Sequence, residues 1–269
     1  MVRFYPKGRS AVVNQEPDLL SRCRVLGIPA PETIADSRTG PPAPLDYMVY
    51  FRIEGHTLSD SLPTLNEIQR KKLAKDLVFH VGQMQKVIFE GSGELSSGRR
   101  AEAKSWTSFV QRSMRSGLNA IRENYLLEVS QINALERVLC AGPPDLVQVT
   151  DRLVWGDINF DNVLVSTLGA VVGFIDFEGC LSGDPLATIG YCQAIHGDNV
   201  FFQTVLEAFP ETRSKRASWL AWYALLRALR LARYAHLPLP TGRPRDPLKS
   251  IFPGMIAAIA LLDPENNSL

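Results

Sequence analysis

Hydrophobic positions recur along this chain with two periods, and each period predicts a different element. Residues 2–5 alternate as a strand does, and the apolar run at residues 47–51 predicts a buried strand. Apolar residues three or four positions apart predict helices instead. These helical segments cover residues 16–26, 63–89, 218–237 and 251–262, with one or two further helices in residues 102–141.

The most informative part of the chain is a predicted hairpin. Two short apolar, β-branched runs, residues 162–165 and 170–175, are separated by the turn-forming residues Ser-Thr-Leu-Gly. Gly169 lies seven residues from both Asn162 and Asp176. If the chain folds back near this glycine, the two polar residues lie opposite each other, with Cα atoms about 5 Å apart.

Three polar side chains at the ends of this hairpin supply oxygen atoms. Mg²⁺ prefers oxygen ligands and usually takes one or two protein groups, while substrate phosphates and water complete its octahedron. Asn162 and Asp176 are candidate ligands, and Asp157, in the loop that enters the hairpin, can reach the same place. Asp and Asn are also common at strand ends for local hydrogen bonding. Three of them at these offsets favour a shared site for Mg²⁺ and phosphate.

Four short motifs surround this hairpin. They are Trp155-Gly156-Asp157, Asn162, Ile175-Asp176-Phe177-Glu178 and Gly183-Asp184-Pro185. Their types and spacing resemble the motifs of the aminoglycoside phosphotransferase and choline kinase superfamily, whose members are relatives of protein kinases. The resemblance implies that Asp157 is the catalytic base, that Asn162 and Asp176 bind the metal, and that Gly-Asp-Pro is a structural brace.

The resemblance also implies a fold, which is α+β and protein-kinase-like with two lobes. A small, β-rich N-terminal lobe in residues 1–55 would bind nucleotide. A larger, mainly helical C-terminal lobe in residues 56–269 would carry the catalytic loop and the acceptor site. The second predicted strand would lead into a hinge, where the main chain of Phe51, Arg52 and Ile53 would bind the nucleotide base. ATP is the expected phosphoryl donor, with GTP as the alternative.

The N-terminal part departs from the family pattern. In the family a Lys or Arg holds the α- and β-phosphates and pairs with a helix glutamate, and the resemblance assigns these roles to Arg3 and Glu16. Two strands and a glycine-rich turn precede that cation and need about 25 residues, so we expect a truncated lobe. Three explanations stay open: the start codon is placed too late, the protein clamps triphosphate without this turn, or it no longer catalyses phosphoryl transfer.

Three segments resemble parts of a kinase site without matching them fully. Trp155 stands where the family has histidine, so it keeps one ring N–H donor but loses the acceptor nitrogen and the titratable charge. His196-Gly197-Asp198 spells the family triplet, but Gln203 is the fifth residue after Asp198, so we predict an ordinary loop. The glycine-rich residues 91–98 follow a predicted helix, which indicates a flexible connection rather than a phosphate-binding loop.

Composition and charge argue against several classes of partner. The 269 residues hold 29 Lys and Arg against 28 Asp and Glu, so no bulk field attracts nucleic acid or an anionic membrane. Arg227, Arg230 and Arg233 recur every third residue of a predicted helix, which could bind nucleic acid but is more typical of a solvated face. The four cysteines are widely spaced, and neither a signal peptide nor a membrane span is recognisable. We expect free thiols and a cytoplasmic protein.

The resulting functional hypothesis is an ATP- and Mg²⁺-dependent phosphotransferase that acts on a hydroxyl group of a small molecule. Glu178, beside a metal ligand, is the carboxylate expected to face that acceptor. Residues 91–150 are not predominantly acidic, which disfavours a polycationic aminoglycoside. The alternative is a pseudokinase that binds nucleotide or a protein partner through the same fold. The acceptor and the oligomeric state stay open.

Overall fold

The computed structural model describes residues 1–5, 10–124, 126–143, 151–210, 216–234 and 252–265. The strands in these ranges are β1 (Val2–Tyr5), β2 (Thr33–Asp36), β3 (Asp46–Tyr50), β4 (His56–Thr57), β5 (Ser92–Leu95), β6 (Ala101–Ala103), β7 (Arg152–Val154), β8 (Val163–Val165), β9 (Val171–Phe174) and β10 (Leu181–Gly183). The helices in the same ranges are α1 (Ser10–Val25), α2 (Leu58–Ser61), α3 (Glu67–Met84), α4 (Trp106–Glu123), α5 (Val129–Ala141), α6 (Leu186–His196), α7 (Val200–Ala208), α8 (Arg216–Ala232) and α9 (Phe252–Leu262). The predicted α+β class is confirmed.

The chain forms two compact units that alternate along the sequence. One unit contains residues 1–106, 149–188 and 199–209, and the other contains residues 107–148, 189–198 and 210–269. All the strands named above lie in the first unit, together with the motif residues. The division into lobes at residue 55 stays a prediction.

The first sheet has the strand order β1-β3-β2 and is antiparallel throughout. Helix α1 packs against β2 and β3 and buries Leu19, Leu20 and Cys23. Successive residues of a strand point to opposite faces, so Arg3 and Tyr5 of β1 share a face. Both side chains reach Glu16 of α1, which is how the sheet brings the N-terminal cation to its helix partner.

The second sheet, with the order β4-β8-β9, contains the predicted hairpin. Helix α3 is tied to it because the Asp76 carboxylate accepts a hydrogen bond from the Val171 N–H at 2.8 Å. The predicted apolar face of α3 is confirmed by the burial of Leu73, Leu77, Val81 and Met84. The helix ends at Met84 rather than at Phe89, because the chain beyond it is extended and the Phe89 N–H donates to the Asp151 carbonyl at 2.9 Å.

The glycine-rich residues 91–98 do not form the predicted flexible connection. They contain β5, an inner strand of the sheet with the order β6-β5-β10-β7. Gly91 and Gly93 have φ values of 85° and 93°, which other residues rarely adopt. The Ser182 hydroxyl donates to the Gly91 carbonyl at 2.6 Å and holds this bent strand in the sheet. The glycines therefore permit bends in a strand.

In the second unit, α8 is buried on nearly all sides and packs against α9. All eleven residues from Trp219 to Leu229 are buried, including Arg227. The Arg227 guanidinium lies 5.7 Å from the centre of the Tyr191 ring, and that of Arg230 lies 5.4 Å from the Phe109 ring. The prediction of a solvated arginine face is therefore wrong for Arg227, because aromatic faces stabilise a buried guanidinium.

The remaining sequence expectations concern the second triplet, the thiols and the membrane. His196 is the last residue of α6 and α7 begins at Val200, so no apolar hairpin follows this triplet. Cys23, Cys140, Cys180 and Cys192 are free, as expected. No helix among the described residues is both long enough and apolar enough to cross a lipid bilayer. The cytoplasmic location stays a prediction.

Candidate active site

Strands β8 and β9 form the predicted antiparallel hairpin around a short turn. The Ser166 N–H donates to the Ala170 carbonyl at 2.9 Å, which leaves three residues in the loop. Gly169 is the last of them and has φ 74°. A left-handed glycine at this position is typical of three-residue hairpin loops, so the local sequence accounts for the turn.

The pairing of the two strands differs by one residue from the prediction. The register shifts between Leu164 and Val165, and Asn162 then lies opposite Ile175, whose N–H donates to the Asn162 carbonyl at 3.0 Å. The predicted pairing of Asn162 with Asp176 is therefore wrong. Asp176 instead follows the last paired residue, at the point where the strand has ended.

Asp157 and Asn162 are in direct contact. The Asn162 side-chain amide, Nδ2, donates to the Asp157 carbonyl at 3.0 Å and to its carboxylate Oδ2 at 3.2 Å. The loop before the hairpin lies very close to the loop after it. A Cβ atom on Gly156 would lie only 2.0 Å from the Gly179 carbonyl oxygen. Only glycine allows this approach, and it brings the two ends of the motif together.

Asp176 has an unusual backbone conformation. Its φ is 63°, the only positive φ of a non-glycine residue in the part of the chain that the structure describes. Residues other than glycine are strained there, and they keep this conformation only where the surrounding structure holds them. The conformation turns the chain at the end of β9 and aims the carboxylate at Arg3.

Arg3 bridges three carboxylates. Its guanidinium donates to Asp176 Oδ1 through both terminal nitrogens at 3.2 Å and to Glu178 Oε2 at 2.5 Å. It also lies 3.6 Å from Glu16 Oε1, whose other oxygen accepts a hydrogen bond from the Tyr5 hydroxyl at 2.7 Å. The pairing of Arg3 with Glu16 that the resemblance implied is thus present, and Asp176 and Glu178, from the segment that follows β9, join it.

The electrostatics of this cluster follow from burial and from the ion pairs. Burial lowers the pKa of Arg3, but the carboxylates of Glu16, Asp176 and Glu178 outweigh it, so the pKa is raised and the guanidinium stays charged. Burial raises the pKa of Glu16, against the opposing effects of Arg3 and of the Tyr5 hydrogen bond. Burial and the neighbouring Glu16 raise the pKa of Tyr5, which therefore remains a hydrogen-bond donor.

Trp155 is fully buried beneath Asp176. Its indole Nε1–H donates to the Asp176 carbonyl at 3.4 Å. The centre of its ring lies 5.1 Å from that of Phe174, in an edge-to-face arrangement, and 6.0 Å from that of Phe177, in a stacked one. The single donor that tryptophan shares with histidine is thus in use.

Comparisons with known proteins give the family. The model of the phosphotransferase enzyme family matches residues 1–225 of the chain. The chain belongs to this family. A search of curated proteins found no match.

Solved structures of aminoglycoside phosphotransferases share the fold of this family member. The apo form of a thermostable mutant of APH(4)-Ia has a TM-score of 0.66 and 16% identity, over 99% of this chain and 86% of that one. The GDP complex of wild-type aminoglycoside 2'-phosphotransferase-IIIa has a TM-score of 0.68 and 16% identity, over 97% and 86%. A mutant of APH(4)-Ia in a ternary complex with AMP-PNP and hygromycin B has a TM-score of 0.62 and 16% identity, over 96% and 83%. The predicted kinase-like fold is confirmed.

In this phosphotransferase-family chain, the predicted hinge leaves β3 as irregular chain. Phe51 and Arg52 are exposed, and Ile53 packs against Gly173 of β9. The Phe51 N–H already donates to the Glu32 carbonyl at 3.0 Å, so this one main-chain donor is engaged. Binding of a nucleotide base by the hinge stays a prediction.

The residues fit a divalent cation. Because Asn162 donates through Nδ2, its Oδ1 is left as an acceptor, and Asp176 Oδ2 has no hydrogen bond among the described residues. One amide oxygen and one carboxylate oxygen are the hard donors that Mg²⁺ takes from a protein. The assignment of Asn162 and Asp176 as metal ligands stays a prediction.

Two contributors to this site were missed in the sequence. Tyr5 alternates with Arg3 along β1, so the strand period could have placed it beside Glu16. Thr188, whose hydroxyl oxygen accepts the Trp155 backbone N–H at 3.1 Å, gave no such signal.

Glu178 was expected to face the acceptor, and the structure places it on Arg3. Asp184 of Gly-Asp-Pro accepts the Leu186 N–H at 3.0 Å at the start of α6.

Proposed function

We propose that this protein catalyses ATP- and Mg²⁺-dependent transfer of a phosphoryl group to a hydroxyl group of a small molecule. Membership of the phosphotransferase enzyme family supports the reaction class. The observation that carries the proposal is that Asp157 contacts Asn162 where the chain enters the hairpin, and that Asp176, which follows the residue paired with Asn162, contacts Arg3.

Asp157 would act on the acceptor hydroxyl. A carboxylate is too weak a base to remove an alcohol proton in advance, so it would accept a hydrogen bond from the hydroxyl and take the proton late in the reaction. The Asn162 amide would hold the Asp157 carboxylate in one orientation, since it contacts both the carbonyl and Oδ2. Orientation of the attacking group is a large part of phosphoryl-transfer catalysis.

The other side of the hairpin would bind the nucleotide and the metal. Asn162 and Asp176 would hold Mg²⁺, which when bound neutralises charge on the phosphate oxygens. Arg3 would donate to phosphate oxygens, for which a guanidinium is well suited. Glu16 and Glu178 flank Arg3 and would keep it directed at the nucleotide after its contact with Asp176 is exchanged. The GDP complex of one neighbour supports GTP as an alternative donor.

The acceptor is proposed only as a class. One neighbour binds hygromycin B, and at 16% identity this likeness concerns the fold. Strongly polycationic acceptors need several carboxylates, and residues 91–150 of this chain are not predominantly acidic. We therefore favour a hydroxylated small molecule of low positive charge.

One observation favours a second candidate function. Arg3 occupies Oδ1 of the predicted metal ligand Asp176, and a permanent ion pair there would suit a pseudokinase that binds nucleotide without turnover. In that case Glu178, Asp176 and Arg3 would form a structural link between β1 and the segment that follows β9.

ATP consumption against a panel of hydroxylated small molecules, aminoglycosides included, separates the two candidates. The enzyme should consume ATP with at least one acceptor in a Mg²⁺-dependent manner. Thermal unfolding with and without Mg-ATP is measured in parallel. Stabilisation by Mg-ATP with no turnover across the panel would contradict the enzymatic proposal and favour the pseudokinase.

A further inference from the structure

Trp155 is a fully buried residue of the site to which the proposed reaction assigns no role. Its side chain contacts the end of β9 and the loop that follows it, through the Phe174 ring, the Asp176 carbonyl and the Phe177 ring. Its own backbone N–H is held by Thr188. The Trp155 backbone is therefore anchored by Thr188, and its ring packs on the segment that carries Asp176.

The contact falls on the one strained residue of the site. Asp176 has φ 63°, a conformation that an aspartate keeps only when neighbouring groups hold it. The carbonyl of Asp176 belongs to the peptide group that follows this φ, so a donor on that oxygen limits rotation of the peptide. The direction of the Asp176 carboxylate depends on the same backbone angles.

We propose that Trp155 is a positioning residue for the divalent cation. Its indole N–H holds the Asp176 peptide in the left-handed conformation, and the Asp176 carboxylate is thereby directed at the metal. This inference rests on the proposed function, since it concerns how a predicted metal ligand is aimed. Groups that orient metal ligands typically change metal affinity by about 10–100-fold when they are removed.

The donor can be separated from the packing by substitution. Trp155→Phe keeps a flat apolar ring but removes the N–H, whereas Trp155→His keeps a ring N–H donor in a smaller ring. Trp106 is also buried, at 6% exposed, and belongs to the same unit. Trp106→Phe therefore makes the same chemical change at a buried tryptophan of another element, α4, and serves as the matched control.

The experiment measures Mn²⁺ binding to the full chain in the presence of a non-hydrolysable ATP analogue, by titration calorimetry and by paramagnetic broadening of the indole N–H signals in ¹H–¹⁵N spectra. With four tryptophans in the chain, few signals need assignment. The Trp155 signal should broaden in the wild type. Trp155→Phe should bind Mn²⁺ about tenfold more weakly, while Trp155→His and Trp106→Phe should stay within about threefold of the wild type.

Each outcome decides one claim. If the wild type binds Mn²⁺ and folded Trp155→Phe binds it equally tightly, the positioning role is wrong while the proposed function stands. If the wild type binds no Mn²⁺ with the ATP analogue, the proposed function itself is wrong. Should Trp155→Phe not fold, Trp155→His decides, because a folded histidine variant with a loss as large as tenfold contradicts a role for the ring N–H.

Discussion

The two aspartates at the ends of the hairpin are held by different partners. Asp157 accepts a neutral amide N–H from Asn162, whereas Asp176 accepts two N–H groups from the Arg3 guanidinium. An amide orients a carboxylate without balancing its charge, and a guanidinium does both. We propose that the two aspartates have different roles: Asp157 would accept the hydroxyl proton, and Asp176 would bind the cation.

Removal of the Asp157 charge should have the largest effect. Asp157→Asn should lower kcat by about 10²–10⁴-fold, the range of a lost general base. Nucleotide affinity should change little, because the Arg3 side of the hairpin is untouched. Asp161→Asn, an exposed aspartate in the same loop, is the control and should retain activity. Steady-state kinetics and nucleotide titration would contradict these different roles if Asp157→Asn lost nucleotide affinity but kept kcat.

Removal of the Arg3 charge should affect nucleotide binding, on the Asp176 side of the hairpin. Arg3→Met should weaken ATP binding by about 10–100-fold, since a charge-assisted hydrogen bond typically contributes about 1.5–3 kcal/mol. Arg24→Met removes another arginine that is paired with a carboxylate, Glu32, and should leave ATP binding unchanged. The measurement is the Kd for ATP by calorimetry. Equal Kd values for Arg3→Met and the wild type would leave Arg3 as a structural link only.

The turn of the hairpin gives a smaller effect on stability. Gly169 has φ 74°, and a Cβ atom there would meet only Leu65 at an ordinary 3.7 Å. Gly169→Ala should therefore lose only the backbone term, about 1–2 kcal/mol in the free energy of unfolding. Gly82→Ala, in α3 with open space around it, should instead gain up to about 1 kcal/mol. Urea unfolding that gave both variants the same sign would contradict this view of the turn.

The smallest effect expected is a pH dependence at Glu16. Burial raises its pKa above the ordinary 4.5, so its contribution to stability is full below pH 4.5 and is lost as the pH rises through the folded-state value. Glu16→Gln cannot ionise. The free energy of unfolding of Glu16→Gln minus that of the wild type should therefore increase as the pH rises above 4.5. Urea unfolding at several pH values measures this difference, and a constant or falling difference would contradict a raised pKa.

The parts of the site that are local in sequence could be predicted. The alternation and the turn residues predict the hairpin, and the short loop between Asp157 and Asn162 keeps these two side chains together. The register was wrong by one residue because the turn is centred on Leu168, between the paired Ser166 and Ala170, and not on Gly169. The shift between Leu164 and Val165 then restores only one of the two residues of difference. The positive φ of Asp176 was equally invisible, because only a few per cent of non-glycine residues adopt it and the hydrophobic pattern does not mark which ones do.

The contacts between distant segments could not be derived from local patterns. Arg3 lies 173 residues from Asp176 and 175 from Glu178, and the resemblance supplied only its pairing with Glu16. The same limit explains Arg227, which period alone places on a solvated face and which the structure buries against Tyr191. The prediction of a flexible connection at residues 91–98 was wrong for a different reason. Glycine permits bends in a strand as readily as it permits a flexible loop.

A cation shared by Asn162 and Asp176 is the central element of the proposed function. The direct measurement is a crystal structure with Mn²⁺ and an ATP analogue, in which the anomalous signal locates the metal. We expect one peak at about 2.1–2.2 Å from Asn162 Oδ1 and from an Asp176 carboxylate oxygen, as for hard divalent cations, with Arg3 moved from Asp176 to the phosphates. A metal bound elsewhere, or Arg3 still paired with Asp176 beside a bound nucleotide, would contradict it.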